Sequence, residues 1–584
     1  MILTSGLAAC LVYGFGLGTI WPAARQQGRC LAWAGTIAKS LWLSWLVAVI
    51  ALVCRAEDPL PWCLLLIVAV WLRRWRHPLP PLQVLLPCGW SQRLLSVLVL
   101  AAASGISSSA LARLFTSQGL FTEWDAVVSW NRWAVELANN TYQPASAAYP
   151  IFFPGLWSLI YRAQSTAAVW FAAKSSLVLV PLLCVLILAA LAEQGLVAAA
   201  LFAAIGFALM LASFGGGVLS GYMDAPVALL MLASGLWMVL AVSRADTQGT
   251  SNSLLPLSAL VGVTAITKQA GVLMFLPYVL VLLCAMRRQQ LAWRAVLLQL
   301  AVAGLPSLLF LGLYFAREPS PIGNLGLLQG FAAASAGTQS PLMHAFDVLF
   351  DGWRWLLLAP PLGLAFLNLL HLRRELAQLG TSLLLLAIAG FPLFATCCSY
   401  DARNGWWLWS LLLLAAVCAV ASFDSSRIKR WQPHSITPFP LALRMGLVAM
   451  AAGVLLIAAV LFPDQRVLAL HQRLQWQVGV PSVSALLQRH RHLMVPGGSR
   501  LITTYIPARW LPGLEEAYVR CQNRRPDVEH CVRHEASKST SFILRGVNDY
   551  EFLNSTVLDQ RLLGQVDGYQ LYGLFQPAEL DRVP

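Results

Sequence analysis

Apolar runs long enough to cross a bilayer as helix recur along this chain until about residue 462, and then stop. About 20 consecutive apolar residues span the hydrocarbon core, and a chain with many such runs is confined to a bundle of membrane helices. Fourteen segments are legible, centred near 12, 45, 65, 103, 180, 203, 234, 260, 278, 305, 363, 388, 413 and 451. Those near 65 and 260 are short enough to be tilted or re-entrant, so the count lies between 11 and 14. Composition agrees: 58% of the 584 residues are hydrophobic and 11% charged, against about 25% charged in soluble domains. The expected fold is an all-α polytopic membrane protein, residues 1–463, followed by a small α/β domain outside the membrane, 464–584.

The net charge of +14 does not indicate nucleic acid, because the cations sit in short connectors rather than in one basic stripe. Arg73, Arg74, Arg76 and Arg93 flank one connector; Arg287, Arg288 and Arg294 mark a second, Arg373 and Arg374 a third, and Arg427, Lys429 and Arg430 a fourth. Placing all four in the cytoplasm satisfies the positive-inside rule. Loops 113–167, 214–225, 267–269, 316–352 and 398–404, and the tail, then fall on the opposite face.

Those opposite-face loops hold a few isolated ionisable residues beside aromatics, and such groups at membrane depth mark a site or pathway. In FTEWDAVVSWNRWAVEL, Glu123 and Asp125 precede a helix-like stretch carrying Arg132, with Trp124, Trp130 and Trp133 suited to the headgroup level. The two acids also read as solvated residues favoured by the helix dipole. In FGGGVLSGYMDAPVALL, Asp224 stands two residues before Pro226 at the mouth of a span, where it serves equally as an N-cap. Lys268 interrupts the apolar VTAITKQAGVLMF and fits either an anion or snorkelling to the interface. In CCSYDARNGWWLW, Asp401 and Arg403 read as a phosphate-binding arginine with its carboxylate, or as a local ion pair capping the next helix.

Five strings in this order, WDAVVSWNRWA (124–134), YPIFFPGL (149–156), GYMDAPVALL (221–230), TKQAG (267–271) and YDARN (400–404), resemble the membrane-embedded GT-C glycosyltransferases. That superfamily includes protein mannosyltransferases and the aminoarabinose transferase type, and the nearest likeness is to bacterial family 39-like members, over roughly 94–460. The resemblance implies a polyprenyl-phosphate sugar donor, a protein or glycolipid acceptor, and an active site on the periplasmic side of the inner membrane. It implies Asp125 as catalytic base and Asp224 as a second site carboxylate. Glu123, Arg132, Tyr149, Lys268, Asp401 and Arg403 would contact substrate, with Lys268 and Arg403 neutralising the donor phosphate. Many relatives carry two adjacent acids in the first loop, whereas Trp124 here separates Glu123 from Asp125, so either acid is eligible as the base. Such chemistry requires no cofactor, and a divalent metal bridging carboxylate and phosphate is compatible with it.

Two other activities fit a chain of this kind. A lipid-linked glycan ligase or polymerase would rely on a large outer loop rich in Arg and His; loop 316–352 offers Arg317, Arg354 at its edge and His344. A flippase would show inverted repeats and ionisable groups near the bilayer midplane. In the tail, RLITTYI, TSFILRG and GYQLYGLF read as strands, and Cys521 and Cys531 are placed to close a disulfide loop in an oxidising compartment. His530, Cys531 and His534 have zinc-ligand chemistry but no standard finger spacing. The Asn139 and Asn554 glycosylation triplets carry no assigned role, and run 323–340 reads as an outer loop or a plain linker.

Overall fold

In the computed structural model the chain divides into two compact units, Met1–Leu456 and Ile457–Pro584. The first unit is described over residues 2–21, 29–76, 126–140, 142, 149–164, 171–243, 251–288, 290–317, 336–372 and 374–428. The second is described over 485–487, 489–490, 492, 499–503, 518–519, 540–545, 560–566 and 569–574. The expected boundary at 463/464, the spans near 103 and 451, most of loop 323–340, and Cys521, His530, Cys531, His534 and Asn554 lie outside the described residues.

Among the described residues the first unit contains helices and no strand. Its α-helices are α1 Ile2–Leu11, α2 Arg29–Val53, α3 Leu60–Arg76, α4 Arg132–Ala138, α5 Phe152–Gln164, α6 Phe171–Ser176, α7 Leu179–Glu193 and α8 Val197–Phe214. These are followed by α9 Asp224–Ser243, α10 Ser251–Ala265, α11 Phe275–Arg287, α12 Trp293–Arg317, α13 Pro341–Phe350, α14 Ala359–Phe366, α15 Glu375–Cys397 and α16 Trp406–Ile428. Among the described residues eight helices are long and apolar enough to cross a membrane. Three shorter apolar ones, Ser5–Thr19, Leu60–Arg73 and Leu254–Ala265, include the two segments expected to be short.

The span expected near 363 corresponds to Arg354–His371 and is preceded by a sharp bend. Pro341–Phe350 and Arg354–His371 meet at 99°. Ser340 caps the first piece by accepting from the Met343 N–H at 3.3 Å, and Gly352, with φ +58°, turns the chain after it.

Helices α9 and α16 form the centre of the bundle. Both are apolar on every side, and 94% of the membrane-length window of each is buried inside the protein, against 28% for α12. Small residues let them approach: Gly235 of α9 lies under the Leu414 side chain of α16, and the Ser410 hydroxyl donates to the Ala228 carbonyl at 2.7 Å. Peripheral helices are stitched on by sparse polar contacts, such as the Trp42 indole donating to the Val302 carbonyl at 2.9 Å.

The two ends of α9 separate two kinds of residue. Its last turn meets a basic connector, where Arg288 donates to the Val242 carbonyl at 3.1 Å and pairs with Glu375. Nearby in the same layer, Arg374 donates to the Ser422 carbonyl at the end of α16. Its first turn holds Asp224, 19 residues and thus about 29 Å earlier at 1.5 Å per residue.

The second unit contains one five-stranded mixed sheet in the order β2-β1-β3-β5-β4. Its strands are β1 Ser499–Thr503, β2 Tyr518–Val519, β3 Thr540–Arg545, β4 Gln560–Val566 and β5 Tyr569–Leu574. β1, β3 and β5 fall on the three strings that alternate in the sequence; β1 pairs in parallel with β3, and β5 lies antiparallel to both β3 and β4. Phe542 and Leu571 are fully buried, and Leu486 of a short helical turn sits against Gly564 of β4.

Close backbone crossings in the first unit depend on glycine. A Cβ on Gly18 would stand 1.8 Å from the Thr36 carbonyl oxygen of α2, whereas one on Gly312 of α12 would meet nothing within 4 Å. Gly18→Ala should therefore lower the Tm of the detergent-solubilised protein by several degrees, while Gly312→Ala should leave it unchanged or raise it slightly. Thermal unfolding of the two variants side by side checks this.

Candidate active site

Three chain reversals meet at the end of α9 remote from the basic connectors. In the first, the Ser220 hydroxyl donates to Gly217 O at 2.9 Å and accepts from the Tyr222 N–H at 3.2 Å. Gly221, at φ +92°, makes the turn that side chains resist. Asp224 then opens α9, 6% exposed, with Pro226 in the first turn where its missing N–H costs nothing.

In the second, α10 ends at Ala265 and Lys268 is extended, at φ −157°. A 3₁₀ turn, Gln269–Met274, then feeds α11. The turn lies directly against α10: a Cβ on Gly271 would stand 1.9 Å from the Thr264 carbonyl oxygen. The TKQAG string is thus a return that glycine permits and a lysine occupies.

The third follows α15. Asp401 caps a 3₁₀ turn, Ala402–Gly405, accepting from the Arg403 backbone N–H at 2.9 Å and from its Nε at 2.7 Å, with a further bond from Nη2. Two adjacent cysteines, Cys397 and Cys398, are joined as a disulfide just ahead of it.

Side chains from the three reversals interlock. The Lys268 ammonium donates to Asp224 Oδ1 and, at 3.2 Å, to Asn404 Oδ1. The Arg403 guanidinium lies over the Tyr222 ring, 3.7 Å from its centroid. Segment 222–224 is therefore tied to segment 401–404 twice, once through Lys268 and once by cation–π contact. The Lys268 and Asp224 side chains retain 16% and 8% of their exposure, and those of Arg403 and Asp401 28% each. The group holds two carboxylates and two cations, formally neutral, with the lysine pair in the drier position.

Among the expected site residues, the structure brings Asp224, Lys268, Asp401 and Arg403 together. Glu123 and Asp125 lie outside the described residues. Tyr149 packs against Trp130 and Trp133, with ring centroids 5.6 and 6.2 Å away. Three residues on, the Phe152 N–H donates to the Ile266 carbonyl at 3.1 Å, two residues from Lys268. The first loop therefore reaches the lysine reversal through its Tyr149–Phe152 end. Arg132 pairs with Glu136 one turn along its own helix.

Three participants were not singled out from the sequence. Tyr222 and Asn404 stand inside the quoted strings, and a signal for them existed in their spacing from Asp224 and Arg403. Arg162 had none. Buried at the end of α5, it donates to the carbonyls of Ala56 and Leu137 and, at 2.8 Å, to Asn140 Oδ1, fastening the first loop to the α2–α3 connector. Among the described residues no group of three His, Cys, Asp or Glu side chains is placed to hold a metal ion.

No protein-family profile matches the chain, and no curated protein does. Among solved structures it is similar to the crystal structure of ArnT from Cupriavidus metallidurans bound to undecaprenyl phosphate. The TM-score is 0.45 at 14% sequence identity, with 82% of this chain and 98% of that one covered.

Removing one member of a buried ion pair costs about 3–5 kcal/mol, because the other charge is left in a dry site. Asp224→Asn and Lys268→Met should each destabilise the protein, and the double variant should be destabilised by less than their sum. A coupling of at least about 1 kcal/mol in a double-mutant cycle of thermal or denaturant unfolding is expected.

Proposed function

We propose that this chain is a glycosyltransferase that moves a sugar from a polyprenyl-phosphate donor to a hydroxyl of a protein or glycolipid acceptor. The observation that carries the reading is the junction of Lys268 and Arg403, with their carboxylates, at one end of the bundle. A phosphate on a long apolar chain needs such a pairing: cations at the membrane rim and lipid-like surface below them.

The chemistry follows from the charges. The acceptor oxygen attacks the anomeric carbon while a carboxylate takes its proton, and the configuration there inverts. Asp125, with Glu123 beside it, is the proposed base. Negative charge then collects on the departing prenyl phosphate, where Lys268 and Arg403 stabilise it. An ammonium has three N–H donors. Asp224 and Asn404 accept from two among the described residues, so one remains for a phosphate oxygen. Asp224 and Asp401 hold the cations in place when the donor is absent. No cofactor is required, and a divalent metal would be an auxiliary to the phosphate contacts.

The proposed setting is the inner membrane of a bacterium, with the site and the polar tail on the periplasmic side by the positive-inside reading of the sequence; two further observations support a site facing away from the cytoplasm. Arg288 of one basic connector, paired with Glu375 beside another, meets the opposite end of α9, and the Cys397–Cys398 disulfide lies at the site end, as in an oxidising compartment. Clustering at one end of the bundle also disfavours a flippase, whose ionisable groups belong near the midplane.

The test is transfer itself. Mass spectrometry of envelope glycoconjugates from cells with and without the chain should reveal one missing saccharide. Asp125→Asn, folded and in membranes, should lower that transfer by about 10²–10⁴-fold; near-full transfer by the variant removes Asp125 as the base. Binding is read separately, by acetylating Lys268 with a water-soluble succinimidyl ester and locating the label by peptide mass spectrometry. Farnesyl phosphate should protect Lys268, and farnesol should not.

A further inference from the structure

Asn404 is fixed by all of its polar groups. Its N–H donates to Asp401 O at 3.1 Å, and its carbonyl accepts from the Trp407 indole at 2.8 Å. Its side-chain Nδ2 donates to Cys398 O at 3.3 Å, and Oδ1 accepts from Lys268 at 3.2 Å. The amide can face only one way, because flipping it would set an N–H against the lysine ammonium and an oxygen against a carbonyl. A rigid acceptor is thereby presented to Lys268 from across the site.

Its neutrality matters as much as its position. Asp224, Lys268 and Asn404 together carry no net charge, so the ammonium is held at two points and still presents a cation to an anion. An aspartate of the same shape at 404 would give the lysine two carboxylates and the group a net negative charge, which repels phosphate. It would also lack the N–H that Cys398 O accepts.

We infer that Asn404 is a positioning residue: a second, neutral acceptor that fixes the direction of the Lys268 ammonium while it is paired with Asp224, so that its remaining N–H meets the phosphate of a prenyl-phosphate ligand. The inference rests on the phosphate-donor reading, but the hold of Asn404 on Lys268 is measurable without any transfer.

The experiment follows Lys268 acetylation in the full-length protein, with and without farnesyl phosphate, for the wild type, Asn404→Ala and Asn404→Asp. Without ligand, Asn404→Ala should label several-fold faster. Asn404→Asp should label more slowly, because a second carboxylate binds the ammonium more tightly and shields it from the reagent. The farnesyl phosphate concentration for half-protection should rise at least about tenfold in Asn404→Asp, and less in Asn404→Ala. A merely structural role would move both variants in the same direction, and that result, or wild-type labelling in both, overturns the inference. Opposite shifts in labelling, with no protection by farnesyl phosphate even in the wild type, uphold the hold on Lys268 and sink the phosphate reading. Should the alanine variant not fold, the near-isosteric aspartate variant alone decides: slower labelling with weaker farnesyl phosphate protection upholds the inference, and wild-type or faster labelling overturns it.

Discussion

A charge inside an apolar bundle must find an opposite charge or a set of polar acceptors, and the end of α9 is organised around that demand. Lys268 interrupts an apolar run between two helices, and its ammonium is compensated by Asp224 from one reversal and Asn404 from another. Because these residues lie 44 and 136 positions away along the chain, the pairing fixes three otherwise separate segments relative to one another. The cost of leaving either member of the ion pair alone makes the arrangement stiff, and stiffness is what a site that stabilises charge needs.

The same demand is met differently elsewhere. At the far end of α9, Arg288 binds Glu375 and a helix-terminal carbonyl, which satisfies the last turn of α9 and leaves the pair at the rim of the bundle. Arg162 is hydrogen-bonded by carbonyls and an amide at the junction of the first loop with the α2–α3 connector, a joint rather than a site. The difference is in what remains. Among the described residues Lys268 keeps a donor beyond those that Asp224 and Asn404 occupy, which is the donor proposed to meet phosphate.

Tyr222 and Asn404 show how ordinary residues complete such a group. The tyrosine ring gives Arg403 a surface to lie on, so that the guanidinium is oriented by Asp401 at its edge and by the ring at its face. The asparagine converts a backbone carbonyl at the end of α15 into a hold on a lysine two helices away. Glycines at 221 and 271 make the reversals tight enough for these contacts to form.

By itself the sequence determined that this is a helical membrane bundle with a polar tail, because length and apolarity of a segment are local properties that the bilayer reads directly. It also singled out Asp224, Lys268, Asp401 and Arg403, since scarce charges in apolar surroundings stand out without knowledge of the fold, and the alternation of three tail strings located β1, β3 and β5. Tertiary structure decided who pairs with whom. The Asp401–Arg403 pair was legible from their spacing, but the Asp224–Lys268–Asn404 chain joins residues whose proximity depends on how three helix ends are brought together. The break at Gly352, the clamp at Arg162 and the fourth and second strands were likewise hidden, because each is set by neighbours distant along the chain and leaves no period or run in the local sequence.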